Sequence, residues 1–416
     1  MKLQFGIGNR NESVDVLSDS LLGVLMPNDV EITLKAEEAV KAALSSPLGT
    51  LKLSDMPLEG KKIAIVTSDI TRPMPTSAVM PILLDELYKG GAKREDITLV
   101  FALGSHRNHT DEEKKYLAGE RAFCEIACVD SNPKDCVHFG FTSRGTSVDI
   151  DKTVANADVR ICLGNIEYHY FAGYSGGAKA IMPGVSTREA IQSNHKFMVR
   201  PEASAGRIEG NPVREDIEEA ANMVGVDFIL NVVLSPKKQI IFATAGDVTM
   251  AHRAGCRFLD SLYLKEIPQK AEIVIASQGG SPKDINLYQT QKALDNAKHA
   301  VKDGGVIILV GSCKEGFGEK TFEEWMTGAR CPDDLIGRIE REFMLGGHKA
   351  AAIAMVMQYA DIYLVSDMDP DTVKSIFMTP FKTLEEAYKA AKEKLGESAK
   401  VLAMPYAGSV LPICRG

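Results

Sequence analysis

The sequence predicts an α/β protein of two domains, and three observations carry the prediction. The chain has 416 residues, more than one compact core usually organises. Short runs rich in Val and Ile alternate with amphipathic segments of helical period, the pattern of parallel strands covered by helices on both faces. Polar residues gather in the stretches that follow the strand-like runs, where open parallel sheets bind their ligands.

The elements follow in order. IAIVTS (63–68) reads as a buried strand, and SAVMPILLDELYKGG (77–91) as a helix with a glycine stop. ITLVFALG (97–104) and RICLG (160–164) are the next strands. In NPVREDIEEAANMVG (211–225), Asn211 caps a helix, Pro212 takes its first turn, and Val213, Ile217, Ala220 and Val224 share a face. DFILNVVLS (227–235) and QIIFATAG (239–246) read as adjacent strands. A second unit begins near 269 with EIVIASQ (272–278) and a helix from about 287. VIILVGS (306–312), two helical stretches, DIYLVSD (361–367), a helix at 383–395 and KVLAMPY (400–406) complete it. The expected architecture is two Rossmann-like α/β domains with parallel-rich sheets and an active site in the cleft between them. The first is expected to span 1–268, completed by the tail 407–416, and the second 269–406.

Composition narrows the function. A net charge of −8 and the lack of any basic run argue against a nucleic-acid partner. No apolar stretch reaches the length of a membrane span, and the start MKLQFGIGNRNESVDV lacks the apolar core of a signal peptide. The eight cysteines are scattered without a C-x-x-C pair, although Cys124 and Cys128 lie four apart. A cytoplasmic chain with reduced, mostly buried cysteines is expected.

The loops hold the candidate chemistry. Asp69 and Arg72 sit in a turn ending at Pro73, either as a helix-capping carboxylate with a solvated guanidinium or as a pair that binds a ribose or an anion. His106 in GSHR and His109 three positions on read as loop histidines of structural type, His109 the more so. SGGAK (175–179) resembles a phosphate-binding turn, because glycines admit backbone N–H groups to an anion and a following helix start favours negative charge. The P-loop spacing is absent, and in GSCKEGFG (311–318) Phe317 stands where that motif needs lysine. No G-x-G-x-x-G follows a strand, so neither a nucleoside triphosphate nor a conventional diffusible dinucleotide is supported. His195, in REAIQSNHKF, ends a predicted helix, where the dipole favours it. As a metal ligand it would need partners from elsewhere, such as a bound organic cofactor. His138, His252 and His299 read as structural. Tyr288, Gln289 and Lys292 share a helical face that suits an oxyanion as readily as water.

SDITRPMP, GSHR, EYHYFAGYSGGAKAIMPGV, NHKF, FILNVVL, AGD…AH…GC and LYQTQK together resemble, in this order, the motifs of the nickel-dependent lactate racemase family over nearly the whole chain. The resemblance implies an isomerase, a 2-hydroxy acid racemase or epimerase that works by reversible proton-coupled hydride transfer. The implied cofactor is a nickel-pincer nucleotide, a pyridinium-3,5-bisthiocarboxylic acid mononucleotide with Ni, joined covalently to Lys179. His195 is then the nickel ligand, and His106 and His169 are the two general acid/bases. Asp69, Thr71, Arg72, Ser175, Gly176, Gly177, Gln289 and Lys292 are implied cofactor contacts. Arg72, Tyr288, Gln289, Lys292 and His348 are implied substrate contacts. Implied partners are a small 2-hydroxy acid and the enzymes that make the cofactor and insert nickel. Two alternatives stay open: another redox or isomerisation reaction with the same cofactor, for instance on a sugar acid, and a non-enzymatic cofactor-binding relative. Where lactate racemase itself places a tryptophan in the second domain, this chain reads GGHKAA, with His348 near that position. A substrate larger or more polar than lactate is the expectation that follows.

Overall fold

The computed structural model describes residues 1–28, 34–235 and 237–414. The chain divides into two compact units, Val30–Ser261 and Met1–Asp29 with Leu262–Gly416.

The Val30–Ser261 unit is built on a six-stranded sheet in the order Ile240–Gly246, Phe228–Leu234, Val159–Asn165, Ile63–Ser68, Ile97–Ala102, Ala127–Asp130. Every ladder is parallel except the outermost, where Ile240–Gly246 runs antiparallel to Phe228–Leu234. The Val/Ile-rich strands are buried on both faces, as parallel strands must be. Ile63, Ile65, Leu99, Phe101, Ile161 and Leu163 pack on one side against Val79, Met80, Leu83, Leu84 and Leu87 of the Thr76–Lys89 helix. That spacing, near 3.6 residues, is what a buried helical stripe requires. The Pro212–Val224 helix is capped as the sequence predicts: the Asn211 side chain accepts from Val213 N and Arg214 N, and Val213, Ile217, Ala220 and Val224 are buried. From the Ile63–Ser68 strand the next strand in sequence goes to one side and Val159–Asn165 goes to the other. The order thus reverses on either side of Ile63–Ser68, the position beyond whose carboxyl ends open parallel sheets bind their ligands.

The second unit holds a wholly parallel six-stranded sheet in the order Thr379–Phe381, Ala360–Val365, Val301–Val310, Ala271–Ser277, Val401–Met404, Leu21–Val24. Its membership corrects the expected domain boundary. Leu21–Val24 adds an edge strand here, and the Lys2–Ile7/Arg10–Asp15 hairpin places Leu3, Phe5, Ile7 and Val14 in one core with Ile273, Ile275, Val306 and Ile308. The tail also stays in this unit, since Leu411–Cys414 pairs with Leu264–Ile267. Alternation marks a buried face but does not say which core will bury it. Arg415 and Gly416, at the end of that tail, lie outside the described residues.

The cysteines are less buried than expected: Cys162, Cys256 and Cys313 are inside, whereas Cys124 and Cys331 are exposed. Among the described residues no helix is long and apolar enough to cross a membrane.

Candidate active site

The loops at the carboxyl ends of Ile63–Ser68, Ile97–Ala102 and Val159–Asn165 carry the candidate chemistry of the first unit. Asp69 immediately follows the first of these strands, and His106 lies four residues beyond the second. The His106 Nδ1–H donates to Asp69 Oδ2 at 2.6 Å, and Thr71 Oγ1 donates to Asp69 Oδ1 at 2.9 Å. Burial pushes the Asp69 carboxyl up, but the hydrogen bond and charge of His106, with Thr71 and Arg72, outweigh it and hold the group below the usual carboxylate range. Asp69 is therefore ionised. It fixes the His106 tautomer with its lone pair on Nε2. The helix-capping reading of Asp69 is set aside by this contact. Arg72 is exposed beside it.

A second histidine–carboxylate pair stands behind the first. His109 Nδ1–H donates to Asp130 Oδ1 at 2.6 Å, and Ile70 N donates to His109 Nε2 at 3.1 Å. Asp130 ends the neighbouring Ala127–Asp130 strand, so the pair ties the Asp69–Arg72 turn to the sheet. His109 is structural, as its sequence context suggests, but what it braces is the turn that orients His106. We expect His109→Phe to lose the Ile70 amide bond and lower kcat by roughly tenfold, the cost of one hydrogen bond near 1–1.5 kcal/mol. Unchanged kcat with unchanged Tm would contradict this role.

The Val159–Asn165 strand leads into the stretch NIEYHYFAGYSGGAK. Tyr168–His169 pairs with Gly173–Tyr174 in a small antiparallel hairpin. Ala172 N donates to His169 Nδ1 at 3.2 Å, so the His169 proton sits on Nε2. SGGAK does not open a long helix: Gly177–Ala180 is a single 3₁₀ turn. Both glycines have positive φ, 76° at Gly176 and 58° at Gly177. A Cβ on Gly176 would meet Asn231 Oδ1 at 2.7 Å, and one on Gly177 would meet His252 Cδ2 at 2.8 Å. Asn231 already accepts from Gly177 N at 2.8 Å, so this glycine supplies close approach rather than a spare donor. His252, read as structural from sequence, donates to Ser175 O at 2.9 Å and supports the turn from below.

Phe171 gathers the remaining candidates. Its ring, 3% exposed, lies 4.5 Å from the His169 ring and 4.9 Å from the His195 ring, with Lys179 Nζ 5.9 Å from its centroid. His195 ends the Arg188–His195 helix and is buried. Its Nδ1–H donates to Asn194 Oδ1 at 2.9 Å. The amide of Asn194 is oriented by its own donation to Asp216 Oδ2 at 2.8 Å and Val213 O at 3.1 Å. The imidazole is thereby held with its lone pair at Nε2, as a metal ligand requires. Lys179 is half-buried. Desolvation, then the positive charges of Arg72 and Arg214, pull its ammonium well below the ordinary lysine value. Loss of the proton is thereby made easier, and the unprotonated amine is the nucleophilic form.

The chain is similar to known proteins in sequence and in fold. Residues 7–206 match the model of the lactate racemase N-terminal domain, and residues 267–411 that of the lactate racemase C-terminal domain. The chain belongs to the lactate racemase family. It is 34% identical to the lactate racemase of Thermoanaerobacterium thermosaccharolyticum, over 98% of each chain. It is 33% identical to that of Lactiplantibacillus plantarum, over 89% of this chain and 90% of the other. Its structure matches the lactate racemase apoprotein of T. thermosaccharolyticum with a TM-score of 0.88, covering 99% of this chain and all of that one. A Thermotoga maritima protein at 19% identity and a TM-score of 0.62, covering 93% of this chain and all of that one, shares the fold. The protein is accordingly an isomerase of the racemase type.

In this racemase the other expected residues lie in the second unit. Tyr288, Gln289 and Lys292 occupy the first turns of the Leu287–Ala297 helix, whose cap Asn286 accepts from Gln289 N at 3.0 Å. His348 is buried at the start of the Gly347–Met357 helix, where its Nδ1 accepts from Gly346 N at 3.0 Å. Sequence reasoning missed Phe171, Asn194, Asp130 and Asn231. Asn194 was legible in principle, being the neighbour of His195; the others are brought in only by the fold.

Proposed function

We propose that this racemase interconverts the enantiomers of a 2-hydroxy acid with a nickel-pincer nucleotide held on Lys179. The observation that carries the reading is the convergence of His169, His195 and Lys179 on the single ring of Phe171.

The residues fit the group. Lys179 offers an amine whose burial favours the unprotonated form needed for covalent attachment, and His195 offers one oriented imidazole for nickel. Among the described residues no three His, Cys, Asp or Glu cluster to hold a metal, so His195 suits an ion whose other ligands come with an organic group. Ser175, Gly176 and Gly177 form the turn that carries Lys179 and are proposed nucleotide contacts with Asp69, Thr71 and Arg72, and Gln289 and Lys292 are proposed contacts from the second unit. When bound, the group supplies a reversible hydride acceptor.

The chain's own residues do the proton work. Arg72, Gln289 and Lys292 bind the substrate carboxylate, and Tyr288 and His348 complete the contacts. His106 takes the hydroxyl proton at Nε2, and Asp69 stabilises the imidazolium that results. His169 presents Nε2 and, as an imidazolium, is the complementary acid that gives its proton to the substrate oxygen and is left as neutral imidazole. For the reverse direction the two histidines exchange protonation states. One histidine alone is worth about 10² to 10⁴ in rate, which favours a scheme that avoids a dianion. The reduced cysteines fit a cytoplasmic setting, where we place the enzyme with its cofactor-making partners.

Co-expression with the enzymes of cofactor synthesis and nickel insertion tests the reading. The expected result is one nickel per chain and racemisation of a 2-hydroxy acid. We expect His195→Ala to retain its fold and lose nickel. Stoichiometric nickel in that variant, measured by elemental analysis, overturns the assignment.

A further inference from the structure

Lys349 is 7% exposed in the Gly347–Met357 helix, a burial that charged side chains rarely have without a paired carboxylate. Its Nζ donates to Tyr288 O at 2.6 Å and lies 3.9 Å from the centroid of the Tyr288 ring. The carbonyl and the ring stabilise a cation but do not neutralise it. Of the charges that act on Lys349, the positive one of Lys292 outweighs the negative one of Asp295. Asp295 is itself engaged by Gln291 at 2.7 Å and by Lys298 at 3.7 Å. Two lysine side chains thus share the end of the Leu287–Ala297 helix that presents Tyr288, Gln289 and Lys292. The buried one has a carbonyl rather than a carboxylate as its hydrogen-bond partner. Burial, then Lys292, push it down to about 7, so an anion placed there would draw a proton onto it at neutral pH.

We propose that Lys349 receives a second carboxylate of the substrate, which makes the substrate a 2-hydroxy dicarboxylate. The proposal rests on the reading of Tyr288, Gln289 and Lys292 as substrate-binding residues. A monoacid brings one carboxylate, for which Gln289 and Lys292 are the proposed partners in this unit. The diacid brings a second, and the cation beside Tyr288 matches it. A buried charge whose partner arrives with the ligand discriminates sharply, because the wrong ligand leaves it unpaired.

Binding and turnover test the proposal on the whole chain. The probes are succinate and propionate, which differ in one carboxylate and are not racemised, together with a 2-hydroxy diacid and lactate as substrates. Succinate is expected to bind the unmodified enzyme about tenfold or more tightly than propionate. In Lys349→Met that preference should vanish, and the ratio of kcat/KM for the hydroxy diacid over lactate should fall about 30-fold. Lys349→Arg should retain most of both. Equal weakening of succinate and propionate in Lys349→Met would mean that Lys349 only braces Tyr288, and the proposal fails. It fails equally if the unmodified enzyme binds the two acids alike. Loss of the succinate preference in Lys349→Met, alongside a nickel-loaded enzyme that turns over no 2-hydroxy acid, supports the anion site while rejecting the reaction assigned above.

Discussion

His106→Ala should lower racemisation by about 10³ to 10⁴ in both directions while leaving nickel content intact, because the base is lost and the metal ligand is not. His169→Ala should do the same. Both histidines are needed whichever enantiomer is supplied, so a variant that still converts one enantiomer at a near-normal rate would sink the two-base scheme. Asp69→Asn tests the dyad separately. It preserves size and removes the charge that fixes the His106 tautomer, and kcat should fall well beyond any change in KM. The pH dependence has a definite sign. Asp69 is held below its ordinary value of 3.8, so the stability contributed by its pairing is complete above that value and is lost as pH falls through the lower folded one. Acid loss of activity well above pH ~4 therefore reports a group other than Asp69.

Lys179→Ala should abolish covalent cofactor attachment and, with it, turnover by about 10³ or more, since tethering replaces an encounter that is worth up to ~10⁵ M or beyond in effective concentration. Intact mass of protein co-expressed with the cofactor pathway, followed by peptide mapping, reads this directly. An adduct mapped to any other residue refutes the assignment. The unloaded chain offers a second readout. A lysine depressed by burial binds fewer protons when folded than when unfolded, so it opposes folding more as pH falls. Lys179→Met should raise the Tm of the unloaded chain at neutral pH, and by less at pH 10 than at pH 7.

Strands and helices were legible where one force dominated. IAIVTS opens on four consecutive apolar residues and is short enough to read as a buried strand, and Asn211-Pro212 marks a helix start by capping chemistry alone. The N-terminal hairpin was not assignable to a core, because Leu3, Phe5 and Ile7 declare a buried face and nothing more. Within the site, histidines and a lysine could be listed from the sequence, and the family motifs gave them roles. Their pairings could not be read locally. His106 and Asp69 are separated by 37 positions and meet because their strands are neighbours in the sheet. His109 and Asp130 meet for the same reason. The expected helix after SGGAK gave way to one 3₁₀ turn, where Asn231 from the adjacent Phe228–Leu234 strand takes an amide that a longer helix would have left for an anion.

The boundary between the units bears on how the protein is made. The first 28 residues supply one strand and part of the core to the sheet whose remaining strands come after residue 262, so the intervening unit is an insertion in its host. During synthesis the inserted unit is complete on the ribosome while Phe5 and Ile7 still lack the strands that bury them. The host can close only when Val401–Met404 emerges to accept Leu21–Val24. Cutting the gene between the units would therefore not yield two folding halves. A fragment beginning near residue 262 lacks an edge strand and part of its core, and it should regain them when residues 1–28 are supplied as a separate peptide.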